Sequence, residues 1–416
     1  MIKELTLKNW KSFQQGTLFI DPLTIIIGAN AAGKSNTLDA LLFLQRVSSG
    51  VGFFQAINGD MNFSTLRGGM EWVCFKPERS FTLSVLVEGE NDNQEYRYEL
   101  SVQVNGTKAE VLNECLVGLI HKKQGAPKEK VLFKTGEGDT ASPGIIAYFS
   151  SGSQGRGRRV DLSRSHTILS QTETLKLRKE VQDGARRVLK LLQGIFVFDP
   201  IPNHMRDYVQ LSEQLLADGS NIAGVLAGMD HTRKAEVEKS LSTYLKALPE
   251  RDILRIWAET VGKFKTDAML YCEEAWGPEG THEIDARGMS DGTLRFLAIV
   301  MALLTRKPGS LLVIEEVDNG LHPSRADILI KMLRELGRKC RIDVIITTHN
   351  PALLDAAGVG ILPFITVAHR EPQQGASHLT LLEDLGGLAK LLAVGSLGRL
   401  STEGRIEHAL KRAGGK

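Results

Sequence analysis

The sequence predicts an α/β fold with a mixed central sheet flanked by helices, an antiparallel β lobe and an inserted helical lobe. Short apolar runs within residues 24–27, 311–316 and 343–350 are typical of buried central strands. Residues 70–150 hold strand-like segments separated by turn residues, which favours an antiparallel sheet. Residues 170–250 repeat apolar side chains at helical spacing, which predicts the helical lobe.

Changes of pattern along the chain predict four parts. They are an N-terminal lobe (1–160), a helical lobe (161–265), a C-terminal lobe (266–370) and a closing or docking segment (371–416). The polar Gly/Ser/Arg stretch at 151–165 is predicted to be a mobile loop. The expected core positions of the helical lobe are Leu175, Leu177, Val181, Val188 and Leu192.

The composition is that of a soluble globular protein, with 42% hydrophobic and 24% charged residues among 416. No apolar run reaches the roughly 18 residues of a membrane-spanning helix, and the first residues do not resemble a signal peptide. The net charge of +2 neither demands nor excludes nucleic acid. Four widely separated cysteines argue against disulfides and zinc, so a reducing, cytoplasmic setting is expected: Cys74, Cys115, Cys272 and Cys340.

The segment GANAAGKS at 28–35 matches the pattern G-x-x-x-x-G-K-S between a predicted buried strand and a predicted helix. Gly28 and Gly33 permit the loop to curl, so that backbone N–H groups point at phosphate oxygens. Lys34 is expected to reach the β- and γ-phosphates, and Ser35 to offer a hydroxyl to Mg²⁺. A plain glycine-rich turn is the alternative, which the flanking strand and helix disfavour.

Two acids end the predicted strand 311–316. Ligands bind at the carboxyl ends of strands in open α/β sheets, so Glu315 is expected to hold Mg²⁺ through water and Glu316 to activate the attacking water. His349 ends the next strand, where it can hydrogen-bond a γ-phosphate. Asp318 and His322 follow the acids, and His322 is either a functional residue or a helix cap.

The tetrapeptide SDGT at 290–293 precedes an apolar helix and offers a second set of phosphate-binding groups. Ser290 has a hydroxyl, and the helix start adds free N–H groups and the positive end of its dipole. Within one chain this would duplicate residues 28–35. It makes sense if it closes over a nucleotide held by another copy, which predicts a homodimer or a higher homo-oligomer.

These motifs, in this order, resemble the ABC-type ATPase heads of the RecF, SMC and OLD-like group. The quoted segments are LTLKNWKSF with the loop at 28–35, RGMSDGTLRFLAI, EEVDNGLHP and TTHNP. The segment SEQLLADGSNIAGVL at 212–226 resembles OLD-like AAA ATPases of prokaryotic defence systems such as Septu and PARIS. The resemblance covers residues 1–50 and 285–350.

The resemblance implies an ABC-type P-loop ATPase head that binds ATP and Mg²⁺. Glu316, Lys34 and His349 become catalytic, with His349 as a switch, and Ser35 and Glu315 become metal-binding; most ABC proteins have aspartate where Glu315 stands. Lys11 and Phe13 are expected near the base. No glutamine of the sequence is placed in the Q-loop, for which Gln154 and Gln171 are the candidates. The implied nucleotide-binding residues are Gly28, Asn30, Gly33, Lys34, Ser35 and Asn36, with Ser290, Gly292 and Thr293 acting on the nucleotide of the other copy.

The chain lacks features that full-length relatives carry. No D-x-D follows His349, as a Toprim nuclease domain would require, and no long heptad repeat lies between residues 36 and 289. We therefore expect a separate effector chain, a nuclease or a toxin. The segment at 381–400 is either a docking helix for such a partner or a helix that closes this chain's own core.

The sequence is consistent with three functions: an ATPase that controls an effector in anti-phage defence, a RecF-like DNA-repair ATPase, and a scaffold that uses ATP without hydrolysis. DNA as a partner would be favoured by two basic clusters, although each is more commonly a solvated loop. They are Lys122, Lys123, Lys128 and Lys130, and Arg156, Arg158, Arg159 and Arg164.

Overall fold

The computed structural model describes residues 1–61, 63–123, 125–136, 142–152, 155, 157–248, 253–275, 280–371 and 375–413. The chain forms two compact units. Unit 1 comprises Met1–Ile195 and Thr366–Leu381, and unit 2 comprises Phe196–Ile365 and Leu382–Lys416. The residues predicted as one helical lobe, 161–265, are divided between the two units.

Unit 1 contains an eight-stranded antiparallel sheet in the order β2-β1-β4-β5-β6-β7-β8-β9. Buried and half-buried residues alternate along β4, as expected for a sheet with one face on the core. The predicted antiparallel lobe is thereby confirmed. The first nine strands, all in this unit, are β1 (Ile2–Trp10), β2 (Phe13–Phe19), β3 (Leu23–Ile27), β4 (Ser80–Glu88), β5 (Gln94–Asn105), β6 (Lys108–Ile120), β7 (Lys128–Thr135), β8 (Gly144–Phe149) and β9 (Arg158–Ser163).

The prediction of a mobile loop at 151–165 is wrong for residues 158–163. Residues 158–163 form β9, which pairs antiparallel with β8 from Phe149↔Arg158 to Gly144↔Ser163. Polar side chains obscured this strand because it lies at the sheet edge, where both faces are half-exposed or exposed. Gln154 and Arg156 lie outside the described residues.

The remainder of unit 1 places fully buried β3 beside β17 (Ile365–Arg370), which pairs antiparallel with β18 (Ser377–Leu381). Of the predicted helical core positions, Val181, Val188 and Leu192 are buried in α5, which packs on α1. Leu175 and Leu177 precede that helix and are half-buried. The helices are α1 (Lys34–Ser48), α2 (Phe53–Asn58), α3 (Gly69–Trp72), α4 (Ile168–Gln171) and α5 (Lys179–Gln193).

Unit 2 is built on β10, β15 and β16 in that order, with β15 and β16 parallel. It also contains an antiparallel sheet in which β13 pairs with β11, β12 and β14. Every residue of β15 is buried, as its continuous apolar run predicts. The strands are β10 (Ile195–Phe198), β11 (Val209–Gln210), β12 (Ile253–Val261), β13 (Asp267–Ala275), β14 (Thr281–Asp285), β15 (Leu311–Ile314) and β16 (Asp343–Thr347).

The helices of unit 2 surround these strands. They are α6 (Ile222–Ala227), α7 (His231–Lys246), α8 (Asp291–Thr305), α9 (Ala326–Cys340), α10 (Pro351–Ala357), α11 (Leu388–Leu392), α12 (Leu397–Thr402) and α13 (Arg405–Ala413). None of the helices in the described ranges is both long and apolar enough to cross a membrane.

The segment at 381–400 closes its own unit through α12, which packs on α10. Asp355 accepts hydrogen bonds from the Gly398 backbone N–H at 2.6 Å and from the Ser396 hydroxyl at 3.0 Å. A Cβ atom at Gly398 would lie 2.2 Å from the Pro351 carbonyl oxygen, so the two helices approach closely. Of the two alternatives for this segment, the structure therefore supports the closing helix at α12.

Candidate functional site

The glycine-rich loop lies in unit 1 between β3 and α1, and only glycine fits at its two ends. Gly28 has φ 144° and Gly33 has φ 114°, values that side chains rarely adopt. A Cβ atom at Gly28 would lie 2.1 Å from the Ala368 carbonyl oxygen on β17. A Cβ atom at Gly33 would lie 2.8 Å from both the Phe13 ring and the Ser377 hydroxyl. The curl of the loop therefore depends on both glycines.

Lys34 folds back over this loop. Its ammonium donates to the carbonyl oxygens of Gly28 at 2.6 Å and Ala29 at 3.0 Å, so a positive charge lies against the curled backbone. Asn30 is exposed, and Ser35 and Asn36 are half-buried. A triphosphate can be bound by a curled backbone, a lysine and the start of a helix, and all three occur here, where the helix α1 has 15 residues. The Ser35 hydroxyl is a suitable ligand for Mg²⁺.

Two serines that the sequence motifs did not single out, Ser12 and Ser377, support the start of α1. The Asn36 amide donates to the Ser12 hydroxyl at 2.7 Å, and the Ser377 hydroxyl donates to the same oxygen at 2.8 Å. The Trp10 indole N–H donates to the Asn36 carbonyl at 2.8 Å. Ser12 was within the quoted N-terminal motif, but Ser377 lies over 340 residues from the loop and carried no sequence signal.

Lys11 and Phe13 are placed as structural residues in unit 1. The Lys11 ammonium is buried, donates to Asp39 at 2.5 Å and to the Arg67 carbonyl at 2.7 Å, and has its pKa lowered by burial. Phe13 is fully buried. These contacts do not support the expected role of either side chain at the base.

Gln171 also has a local role. Its side-chain oxygen accepts from the Ser163 N–H at 3.0 Å, and its amide donates to carbonyl oxygens of Ser163, His166 and Thr167. The side chain thus fixes the connection between β9 and α4, and this placement does not support a Q-loop role.

Unit 2 brings Glu316 and His349 together at the carboxyl ends of the parallel strands β15 and β16. The His349 Nδ1 atom lies 4.0 Å from the Glu316 Oε1 atom, and both side chains are exposed to solvent. Glu316 has φ 45°, and its N–H donates to the Thr347 hydroxyl at 2.8 Å. Glu315, the preceding residue, is half-buried. An exposed carboxylate beside an imidazole is an arrangement that can orient and deprotonate a water molecule.

Arg295, on α8, holds the backbone of both acids, a role that the sequence motifs did not predict. Its Nη2 atom donates to the carbonyl oxygens of Glu315 at 3.0 Å and Glu316 at 3.1 Å. Its Nη1 atom donates to the Pro200 carbonyl at 2.9 Å, and Asp199 lies 3.4 Å away. Arg295 lies inside the segment RGMSDGTLRFLAI, but the carbonyl groups that it contacts are distant in the chain and carry no sequence signal.

Ser290 begins α8 as its N-cap. Its hydroxyl oxygen accepts from the Thr293 N–H at 3.1 Å and lies 2.8 Å from the Thr293 hydroxyl. A Cβ atom at Gly292 would lie 2.8 Å from the Gly320 carbonyl oxygen, so the helix start packs against the turn after Glu316. His322 is the cap of a short 3₁₀ turn, accepting from the Ser324 N–H at 3.3 Å, which supports the capping alternative for that residue.

The candidate residues thus fall into two groups. The glycine-rich loop with Lys34 and Ser35 lies in unit 1, whereas Glu315, Glu316, His349 and Ser290 lie in unit 2. Within the described ranges, no group of three or more His, Cys, Asp or Glu residues is arranged to hold a metal ion.

Together the sheets and the glycine-rich loop define an SMC-head-like fold of the ABC ATPase type, and the predicted fold class is confirmed. One similar solved structure is an SMC head bound to the C-terminal winged-helix domain of ScpA. It has 14% identity and a TM-score of 0.53, covering 91% of this chain and 97% of that chain.

A second is the SMC head domain from Pyrococcus furiosus with an extended coiled coil, bound to the C-terminal domain of ScpA. It also has 14% identity and a TM-score of 0.53, and covers 94% of this chain and 99% of that chain. At this identity the likeness establishes the fold and nothing further.

Two protein-family models match separate parts of the sequence. Residues 1–117 match "AAA ATPase domain", and residues 235–355 match "AAA domain, putative AbiEii toxin, Type IV TA system". No curated protein sequence matches the chain. The matches together support an ATPase of the AAA/SMC-like type.

Proposed function

We propose that this protein binds and hydrolyses ATP with Mg²⁺, and that two copies close around two nucleotides. The observation that carries the proposal is the loop at 28–35, where two glycines at positive φ curl the backbone and Lys34 folds back over it. Lys34 would exchange its contacts with the Gly28 and Ala29 carbonyls for phosphate oxygens. The nearby hydroxyl of Ser35 and, through water, Glu315 would hold Mg²⁺, which would neutralise charge on the phosphates.

Glu316 would act as the catalytic glutamate by accepting a proton from the attacking water. The His349 imidazole, 4.0 Å from the Glu316 carboxylate, is near enough to contact the same water or the terminal phosphate. Gly28, Asn30, Gly33 and Asn36 would complete the nucleotide contacts. In this proposal the Ser290 hydroxyl, with Gly292 and Thr293, binds the nucleotide of the other copy.

The biological role that we propose is the control of a separate effector, a nuclease or toxin, in anti-phage defence in the cytoplasm. Support comes from the family model for residues 235–355, whose description names a toxin of a type IV toxin–antitoxin system. The similar SMC heads are each bound to part of another protein, ScpA, which is compatible with a partner for this fold.

The alternative is a RecF-like ATPase that binds DNA. Lys122, Lys123 and Lys128 are exposed to solvent, where they could contact phosphates. By contrast, Arg164 is buried and donates to backbone carbonyls, and Lys130 pairs with Glu180. Among the described residues of the two clusters, Arg159 also pairs with Asp161, so fewer cations are available to DNA than the sequence suggested.

The substitution Lys34→Ala tests the proposed function. We expect ATP binding to fall below detection, because the phosphates lose the one side-chain cation at the curled loop. Binding is measured by calorimetry with ATP and Mg²⁺, alongside phosphate release. Lys8→Ala, at an exposed position on β1, is the matched control and should bind ATP normally. Wild-type affinity in Lys34→Ala would refute the assignment of the phosphate loop.

A further inference from the structure

The backbone of Glu316 adopts a conformation that requires support. Its φ of 45° lies in the left-handed region, which non-glycine residues seldom occupy. Such residues persist where the surrounding structure over-determines them, and they concentrate at functional sites. The contacts that hold this residue therefore decide where its carboxylate is placed.

Three hydrogen bonds fix Glu316 from both ends of its backbone. Its N–H donates to the Thr347 hydroxyl at 2.8 Å. Its carbonyl oxygen accepts from the Asn319 N–H at 2.8 Å and from the Arg295 Nη2 atom at 3.1 Å. Since Asn319 belongs to the same turn, Thr347 and Arg295 are the contacts that tie the residue to β16 and α8.

The Arg295 guanidinium is suited to this task. Its side chain is 7% exposed, and its charge-assisted bonds to carbonyl oxygens are stronger than neutral ones. One nitrogen, Nη2, spans the consecutive carbonyl oxygens of Glu315 and Glu316, while Nη1 is anchored on Pro200. The planar guanidinium group contacts several acceptors at once, so it restricts rotation of the peptide between Glu315 and Glu316. A lysine ammonium on its flexible stem would restrict this rotation less.

We infer that Arg295 is a positioning residue for ATP hydrolysis, acting through the backbone of Glu316 without touching the nucleotide. This inference rests on the proposed function, because it requires Glu316 to be the catalytic glutamate. Its consequence is that the loss of Arg295 slows the chemical step while nucleotide binding persists, since Lys34 and the phosphate loop lie in unit 1.

The test compares steady-state ATPase kinetics and equilibrium ATP binding for Arg295→Met, Arg295→Lys and Thr347→Val. We expect Arg295→Met to lower kcat by about 10- to 100-fold, the range that small misplacements of catalytic groups produce, with the Kd for ATP within about twofold. Arg295→Lys should retain intermediate turnover. Thr347→Val, which removes the acceptor at the other end of the same residue, should lower kcat in the same direction.

The matched control is Arg306→Met. Arg306 is another arginine of unit 2 with a partly buried guanidinium, stacked over the Phe196 ring at 4.4 Å and without a hydrogen bond to either acid. Its loss should leave kcat within about twofold of wild type. In addition, the double variant Arg295→Met/Glu316→Gln should hydrolyse ATP no more slowly than Glu316→Gln alone. When two residues act as a unit, the effects of their substitutions on kcat are not additive.

The outcomes separate this inference from the proposed function. A wild-type protein without ATPase activity would overturn the proposed function itself. An active wild type with an inactive Glu316→Gln and a fully active Arg295→Met would overturn only the positioning role. The positioning role would also be overturned if Arg306→Met lost as much turnover as Arg295→Met. It would equally be overturned if the Kd of Arg295→Met for ATP rose in parallel with the fall in kcat. If Arg295→Met does not fold, Arg295→Lys and Thr347→Val decide by the same criteria.

Discussion

Single residues in this protein are placed by contacts that polarity alone does not reveal, and Glu114 is an example in unit 1. Its carboxyl group is fully buried, accepts from the N–H groups of Ile168 and Leu169 at 2.6 and 2.7 Å, and contacts the Tyr98 hydroxyl at 3.0 Å. The burial raises the pKa of Glu114 to about 7, and the hydrogen bonds only partly oppose this rise. The carboxyl group therefore gives this unit a pH-dependent stability.

We expect the free energy of unfolding to fall as the pH rises from 5 to 8. Between the unfolded pKa of 4.5 and the folded pKa of about 7, the folded state holds the extra proton, so raising the pH favours unfolding. Glu114→Gln stays neutral and keeps one acceptor, so it should remove up to about 3 kcal/mol of this dependence. Denaturant titrations of both proteins at pH 5, 6, 7 and 8 provide the measurement. Parallel pH profiles would contradict the assignment.

At the scale of elements, α8 connects two parts of the candidate site in unit 2. Ser290 caps its first turn, and Arg295 reaches the acids from its second turn. Arg206 donates to the carbonyl oxygens of Ala286 and Met289 and pairs with Asp291, which fixes the approach to the helix. The sequence predicted the start of this helix correctly because a serine N-cap is a local signal. It missed both arginines because their acceptors are distant in the chain.

Substitution of Ser290 tests the proposed contact with the nucleotide of the other copy. We expect Ser290→Arg to retain ATP binding by the monomer and to lose hydrolysis, because a bulky side chain at the helix start blocks closure. Ser290→Asp is the informative companion, since aspartate preserves the N-cap but repels phosphate. It should keep the wild-type melting temperature and lose at least about tenfold in turnover. Full hydrolysis in both variants would rule out the role of this helix start.

At the scale of the whole molecule, the proposal requires two copies to associate when ATP is bound. In this proposal, the glycine-rich loop at 28–35 and the start of α8 at Ser290 each supply only part of the groups that surround a triphosphate. Association should therefore depend on nucleotide and be lost after hydrolysis, because binding of ATP to the closed form alone shifts the equilibrium toward it. The likeness to SMC heads shows the fold and leaves this behaviour to experiment.

The variant Glu316→Gln should trap this associated state. Without the carboxylate, water is not activated and ATP persists, so the measured mass should double on addition of ATP and Mg²⁺. Sedimentation velocity with ATP, with ADP and without nucleotide provides the measurement. Lys34→Ala is the control and should remain a monomer in all three. A Glu316→Gln protein that stays monomeric at saturating ATP would count against the two-copy proposal.

The sequence alone predicted the glycine-rich loop between β3 and α1, the two acids that follow β15, the cap of α8 and the antiparallel lobe. These features are local: glycine at positive φ, apolar runs and cap residues act within a few positions of the chain. The tertiary structure decided the rest. It showed that Lys11 pairs with Asp39, that Ser377 supports the start of α1, and that Arg295 holds the Glu316 backbone. Buried polar groups must find partners, and those partners are set by packing between distant segments, which spacing along the chain does not encode.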